Sequence, residues 1–180
     1  ILMICDIYDN VLEDHVAQLI DMEMKEIAWK YDYRSHRDGI NKHWHAFCGH
    51  EELFEEYSFL APMWETAKRK YDFEKKYKVS RFLRVYCNAH THGIEPHLHH
   101  DDGDFTMIYY PRMDWEIQWG GGTTVYTEDT TIGSTDPSAD VDRHVAYRGN
   151  RLLVFDAYLP HQAMPVAREC YHCLLYTSPS

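Results

Sequence analysis

Gly93-Ile-Glu-Pro-His-Leu-His-His-Asp-Asp102, followed by the apolar run Phe105 to Tyr110, is the stretch on which the reading of this chain turns. In extended backbone alternate side chains share a face, so His97, His99 and Asp101 are expected to point the same way. Two imidazoles and a carboxylate aimed into one space are metal-ligand chemistry in need of a distant third partner. Three registers compete within the stretch. His99-x-Asp101 and His100-x-Asp102 offer a His-x-Asp pair on opposite faces, whereas His97-x-His99 is the paired imidazole of a cupin-type site. Spacing alone leaves all three open, along with a solvated histidine-rich loop.

Working outward, the strand grammar extends on both sides. From Val79, Phe82, Arg84, Tyr86 and Asn88 alternate with Leu83, Val85 and Cys87. Strands are expected at 104–110, 123–126, 143–148 and 151–156, with a last pair over 159–166 and 171–176. Gly120-Gly-Gly122, the polar segment 128–140 and Gly149-Asn150 separate them. Ahead of this block, residues 2–8 suggest a short strand. Val11, Leu12, Val16, Leu19 and Ile20 fall at helical spacing, so a helix over 11–25 is expected, with Asn10 and Glu13 as a loose capping box. A second helix is expected from Pro62, since proline suits a first turn. Residues 30–60 have no clean period and suggest loop with short elements, with His43-Trp-His45 at the surface. Helices first and many short strands after them predict an α+β chain, mainly β, with an antiparallel sandwich or barrel behind a helical N-terminal layer.

Length and composition bound the function. With 180 residues the chain is long enough to bury a core without staples, and one domain over 1–180 is expected. That domain divides into a helical support layer at 1–78, a β core at 79–176 and a tail at 177–180. The formal net charge of -11 carries no basic stripe, so no nucleic-acid partner is expected. No apolar run is long enough for a membrane span, so no membrane partner is expected either. Five scattered cysteines, with no signal-like start, point to a reducing, cytoplasmic setting. Cys170-x-x-Cys173 stands alone as a CxxC and is a weak metal signal. The opening Ile1 suggests a fragment or processed start, and 174–180 suggest a partly non-native end.

Non-haem iron(II) oxygenases hold their metal with two histidines and one carboxylate on one octahedral face. His99-x-Asp101 satisfies the local half of that pattern. His161, which lies beyond the apolar run Leu152-Leu-Val-Phe155, is the best distant partner.

Across 79–170 the chain resembles the prolyl 4-hydroxylase-like iron(II)/2-oxoglutarate oxygenases. Arg84-Val-Tyr-Cys-Asn88 and Thr91-His-Gly93 resemble the strand and glycine turn that precede the family's His-x-Asp. Thr106-Met-Ile-Tyr-Tyr110, Asp114-Trp115 and Trp119-Gly-Gly121 with Thr124 resemble the strand, loop and Trp-Gly-Gly element downstream of that motif. Gly149-Asn-Arg-Leu-Leu-Val-Phe155 and His161-x-x-x-Pro165-Val166 resemble the strand before the distal histidine and its trailing Pro-Val. The resemblance implies a double-stranded β-helix (jelly roll) with iron(II) held by His99, Asp101 and His161. It also implies 2-oxoglutarate as cosubstrate, O2 as oxidant, and release of succinate and CO2 as a peptidyl (for the family, often prolyl) or small-molecule substrate is hydroxylated. By position Tyr86, Asn88 and Tyr110 match cosubstrate contacts. Substrate contacts are expected from 34–60 and 112–120, because loops around a rigid barrel carry specificity.

One part of the pattern is missing. The family pairs the far carboxylate of 2-oxoglutarate with Arg or Lys about ten to thirteen residues after the distal histidine, where a forked cation matches a carboxylate. Here that window holds Tyr171, His172, Cys173 and Leu174, with Arg168 ahead of it. His172, which can carry a proton, is the expected substitute contact.

Overall fold

The computed structural model describes residues 4–34, 41–51, 53–54, 56–94, 96–130, 141–167 and 171–179, with 141–142 and 171–179 described through their backbone. Among the described residues, ten strands and three short α-helices follow one another as β1 (Cys5–Asp9), α1 (Asp14–Met24), β2 (Lys30–Tyr33), β3 (His43–His50), α2 (Ala61–Lys70), α3 (Phe73–Tyr77), β4 (Phe82–Thr91), β5 (Phe105–Tyr110), β6 (Thr123–Tyr126), β7 (Val141–Val145), β8 (Arg151–Asp156), β9 (His161–Ala163) and β10 (Tyr171–Pro179). Seven strands form one sheet in the order β1-β8-β5-β10-β4-β3-β2, and β7-β6-β9 form a second. Every pairing is antiparallel.

Two-residue periodicity explains why the large sheet is buried on both faces. On β5, Phe105, Met107 and Tyr109 enter one core with the helices, while Ile108 and Tyr110 enter a second core against the small sheet. On β8, Leu152 and Val154 take the helix side, and Leu153 and Phe155 the inner side. Strands covered on both faces become continuous apolar runs, which is how both look in sequence. The helix side is completed by Ala17, Ile20 and Met24 of α1 and by Met63, Trp64 and Ala67 of α2. Each set repeats at helical spacing and leaves the polar residues outside. Val125, Val145 and Ala163 of the small sheet close the second core. Two antiparallel sheets facing across this core are the jelly roll expected from the sequence.

Several boundaries and one segment differ from expectation. The first helix begins at Asp14, and its N-cap Glu13 makes no side-chain cap bond, so no capping box forms. Pro62 does sit in the first turn of α2. Within residues 30–60, expected as loop with short elements, lie β2 and the eight-residue β3. The strand β3 pairs with β4 from Trp44↔Ala89 to His50↔Arg84. His43 is therefore buried at 3% exposure rather than displayed at the surface. Pairing to a strand some forty residues away supplied the burial, and no local period announces it.

Asn150 fastens the start of β8 to the N-terminal segment. It takes the left-handed φ of 60° that asparagine tolerates. Its Oδ1 accepts from the Leu12 N–H at 3.0 Å and its Nδ2 donates to the Leu12 carbonyl at 2.8 Å. Gly122 is fixed by close approach, since a Cβ there would meet the Val145 carbonyl oxygen at 2.3 Å, and its φ is +89°. Among the described residues no helix is long and apolar enough to cross a membrane. Cys170 lies outside the described residues.

Candidate metal centre

The backbone brings the two histidines together before any side chain does. The His99 N–H donates to the His161 carbonyl at 3.0 Å and the His161 N–H donates back at 2.9 Å, an isolated antiparallel bridge at the edge of the small sheet. Asp101 is strapped to the same segment, its N–H donating to the Ala157 carbonyl at 3.1 Å. A directly paired couple in an antiparallel ladder projects both side chains to one face. Here the ring centroids lie 4.4 Å apart.

The three side chains converge. One ligand atom from each of His99, Asp101 and His161 lies within 4.8 Å of the others. His161 Nε2 is 3.4 Å from Asp101 Oδ2, and His99 Nε2 is 4.0 Å from Asp101 Oδ1. The Asp101 side chain is only 4% exposed, and His161 is fully buried.

Neighbouring groups fix which atoms face inward. His99 Nδ1 lies 2.8 Å from the His97 carbonyl oxygen, and His161 Nδ1 lies 3.0 Å from that of Leu159. A carbonyl only accepts, so each Nδ1 carries a proton, and in that tautomer the ring's lone pair sits on Nε2. Metal-binding histidines are oriented by just such bonds. Thr106 of β5 donates its hydroxyl to Asp101 Oδ2 at 2.8 Å.

The electrostatics suit a cation. Burial alone would raise Asp101, but the nearby His161 and His99 rings and the Thr106 bond outweigh it and hold the carboxyl well below its usual range. Burial, with His161 alongside, pushes His99 down to about 4, so its ring is neutral near pH 7. A carboxylate and neutral imidazoles are the states that metal binding requires. The fit is tested by His161 Nε2, which is buried without a hydrogen-bond partner. Its 3.4 Å approach to Asp101 is poorly aligned, and a metal ion between the two answers both.

Among the described residues, none of the other registers converges. His97 Nε2 accepts from the Asn41 N–H at 3.3 Å, His100 Nδ1 donates to the Tyr158 carbonyl, and Asp102 meets Arg84 Nη1 at 3.2 Å. Residues 97–101 are not a regular strand, so pleating did not hold His97 beside His99.

The strands β2, β3 and β4 carry a wall of rings. Tyr33 stacks on His45 at 4.0 Å and 10°, and lies 6.3 Å from Tyr86. His45 Nδ1 is bonded to Asn88 Oδ1 at 2.9 Å. His43 packs on His90 and, through burial and the proximity of His45, is pushed down to about 4. Tyr110 is fully buried and donates its hydroxyl to Thr123 at 2.8 Å. His172 pairs through its backbone with His90. A cavity of about 460 Å³ adjoins this wall, lined by His45, Phe47 and Tyr57 among others, and contains no triad residue. Sequence reasoning gave Tyr33 no role, placed His43-Trp-His45 at the surface, and had Thr106 only as part of a strand resemblance. For Thr106 a signal existed, since it comes soon after Asp101 on a strand otherwise apolar.

Comparison with known proteins adds three findings. The profile of the 2OG-Fe(II) oxygenase superfamily matches residues 77–176, more than half of the chain. No curated protein matches. Among solved structures, a Pseudomonas putida prolyl-4-hydroxylase superposes with a TM-score of 0.69 at 13% identity, over 97% of this chain and 91% of its own. A Trichoplax adhaerens prolyl hydroxylase, in complex with a hypoxia inducible factor peptide fragment, gives 0.66 at 14% identity over 96% and 82%. HygX from Streptomyces hygroscopicus, with nickel and 2-oxoglutarate bound, gives 0.66 at 9% identity over 96% and 81%. At such identities the likeness establishes a shared fold.

Proposed function

Because the chain belongs to the 2OG-Fe(II) oxygenase superfamily, and so is an iron(II)- and 2-oxoglutarate-dependent dioxygenase, we propose that His99, Asp101 and His161 hold the iron and that the enzyme hydroxylates a peptidyl or small-molecule substrate. The observation that carries the ligand assignment is the buried, partnerless His161 Nε2 facing Asp101 beside His99. O2 and an organic substrate are implied by the family. The hypoxia inducible factor peptide held by one structural neighbour supports a peptide, while the hygromycin B held by HygX supports a small molecule.

Bound iron supplies oxygen-dependent decarboxylation of 2-oxoglutarate to succinate and CO2, coupled to substrate oxidation. The protein's own part is positional. The carbonyls of His97 and Leu159 fix the two ring tautomers, and Thr106 fixes the carboxylate. Tyr86 and Asn88 on the inner face of β4, and Tyr110 beneath the small sheet, are the proposed cosubstrate contacts, with His172 on the neighbouring strand β10. Their packing limits water around the centre, which strengthens every polar contact made there.

The rival set His97, His99 and His161 is disfavoured by the engagement of His97 with Asn41. Anaerobic titration of 2-oxoglutarate into the iron(II) protein should raise a weak metal-to-ligand absorption band. His99→Ala and Asp101→Ala are expected to abolish both the band and succinate formation. His97→Ala should keep metal affinity within about twofold, where loss of a true ligand costs far more. An intact band in Asp101→Ala refutes the ligand assignment.

A further inference from the structure

We propose that Arg84 is the carboxylate-recognising cation of this centre, held by Asp102 until an organic acid displaces that side chain. The proposal rests on the oxygenase reading of the triad and adds to it the chemistry of the ligand that enters.

The alternation that sends Val85, Cys87 and Ala89 toward the helices sends Arg84 to the inner face with Tyr86. Its guanidinium carbon lies 5.8 Å from the Tyr86 ring centroid, and Nη1 is 3.2 Å from Asp102 Oδ2. Arg84 Nε is buried and has no hydrogen-bond partner. A guanidinium is a fork of donors made for a carboxylate's two oxygens. Here the fork meets a side chain that is 83% exposed, and exposed ion pairs are weak. An incoming carboxylate therefore has only a weak, exposed pair to displace.

Arg84 is tied to the triad through Asp102, its partner at 3.2 Å, which directly follows Asp101 in the chain. Tyr33, raised chiefly by burial, feels the charges of Arg84, Asp101 and Asp102 together. Its ring is the one stacked on His45 and facing Tyr86. An acid seated on Arg84 therefore has an aromatic wall beside its carbon skeleton and the metal-binding carboxylate within electrostatic reach. A carboxylate entering such a centre calls for a forked cation of this kind. Two acids could answer: the far carboxylate of 2-oxoglutarate, or an acidic group on the substrate to be oxidised. The 36% exposure of the Arg84 side chain, at the edge rather than the floor of the site, favours the substrate.

Calorimetry on the nickel(II)-loaded protein separates them. The first pair of probes is 2-oxoglutarate and 2-oxopentanoate, which lacks only the far carboxylate. The second pair, added to protein saturated with 2-oxoglutarate, is N-benzoylglycine and its amide. Arg84→Gln is expected to remove about ten- to a hundredfold of the acid's advantage in one pair, as loss of a charged hydrogen bond does. Arg84→Lys should keep part of it, and Asp102→Asn should strengthen binding of the acid. Loss in the first pair assigns Arg84 to the cosubstrate, and loss in the second to the substrate. An acid preference absent from the wild type, or unchanged by Arg84→Gln in both pairs, overturns the proposal. Nickel affinity and the unfolding midpoint, read on the same samples, report separately on the triad and the fold.

Discussion

Replacing Thr106 by valine tests whether the carboxylate of the centre is held from behind. Thr106 is fully buried on β5, and its hydroxyl lies 2.8 Å from Asp101 Oδ2. Valine keeps the volume and the branching at Cβ, so the strand is preserved and one donor is lost. A hydrogen bond to a charged group is worth roughly 1.5–3 kcal/mol. If the metal complex loses that support while the free carboxylate recovers part of it by turning toward water, affinity falls roughly 10- to 100-fold, the range seen for outer-shell partners. The metal-free protein should also lose stability, at about 2–4 °C of midpoint per kcal/mol for a chain of this size. Nickel(II) titration at pH 7.5, with thermal unfolding of the metal-free protein, measures both. Thr106→Ser restores the donor and should return affinity most of the way. A folded Thr106→Val protein within about twofold of wild type in metal affinity refutes the reasoning, because the hydroxyl would then be packing and not support.

Two further outcomes are expected. His99 and His43 are each held down to about 4, chiefly by burial, against an ordinary value of 6.5. Between those values the unfolded chain binds more protons than the fold, so metal-free stability should fall as pH drops from about 6.5 toward 4. The lowered Asp101 adds a loss in the same direction below the ordinary carboxylate value of 3.8. Urea midpoints at pH 8, 6 and 5 track this, and His43→Gln should flatten the slope; an unchanged slope refutes the role given to His43. Asn150→Ala leaves the buried N–H and carbonyl of Leu12 unanswered and puts alanine at a φ of 60°. At roughly 1–3 kcal/mol for each orphaned group, a loss of about 3 kcal/mol is expected in urea unfolding, and a loss below about 1 kcal/mol contradicts the fastening role.

The parts of the fold legible in sequence were those with a local signal. Leu152 to Phe155 and Phe105 to Tyr110 declared themselves by length and apolarity, and the structure buries both on two faces. His99 and Asp101 were legible through spacing and resemblance, and their convergence with His161 comes from a backbone bridge. The residues 30–50 were not legible. On β3, Trp44 and Phe47 face outward at 36% and 44% exposure while His43 is buried, which inverts the usual pattern of polar outside and apolar inside. Only the partner strand β4 makes sense of it. The pairing of Arg84 with Asp102 was likewise hidden, since the two residues come from different segments.

The bridge between His99 and His161 has a consequence for the whole molecule. An ion held by these residues joins chain segments separated by β5 through β8, so it acts as a cross-link as well as a reactant. Because such a site exists only in the fold, the ion stabilises by mass action, about 2.7 kcal/mol when free metal is a hundred times its dissociation constant. The strands between those segments, β5, β6, β7 and β8, include both walls of the inner core. Loading the proposed centre should therefore tighten the barrel around its inner core, so that a metal-free sample unfolds at a lower midpoint than a loaded one.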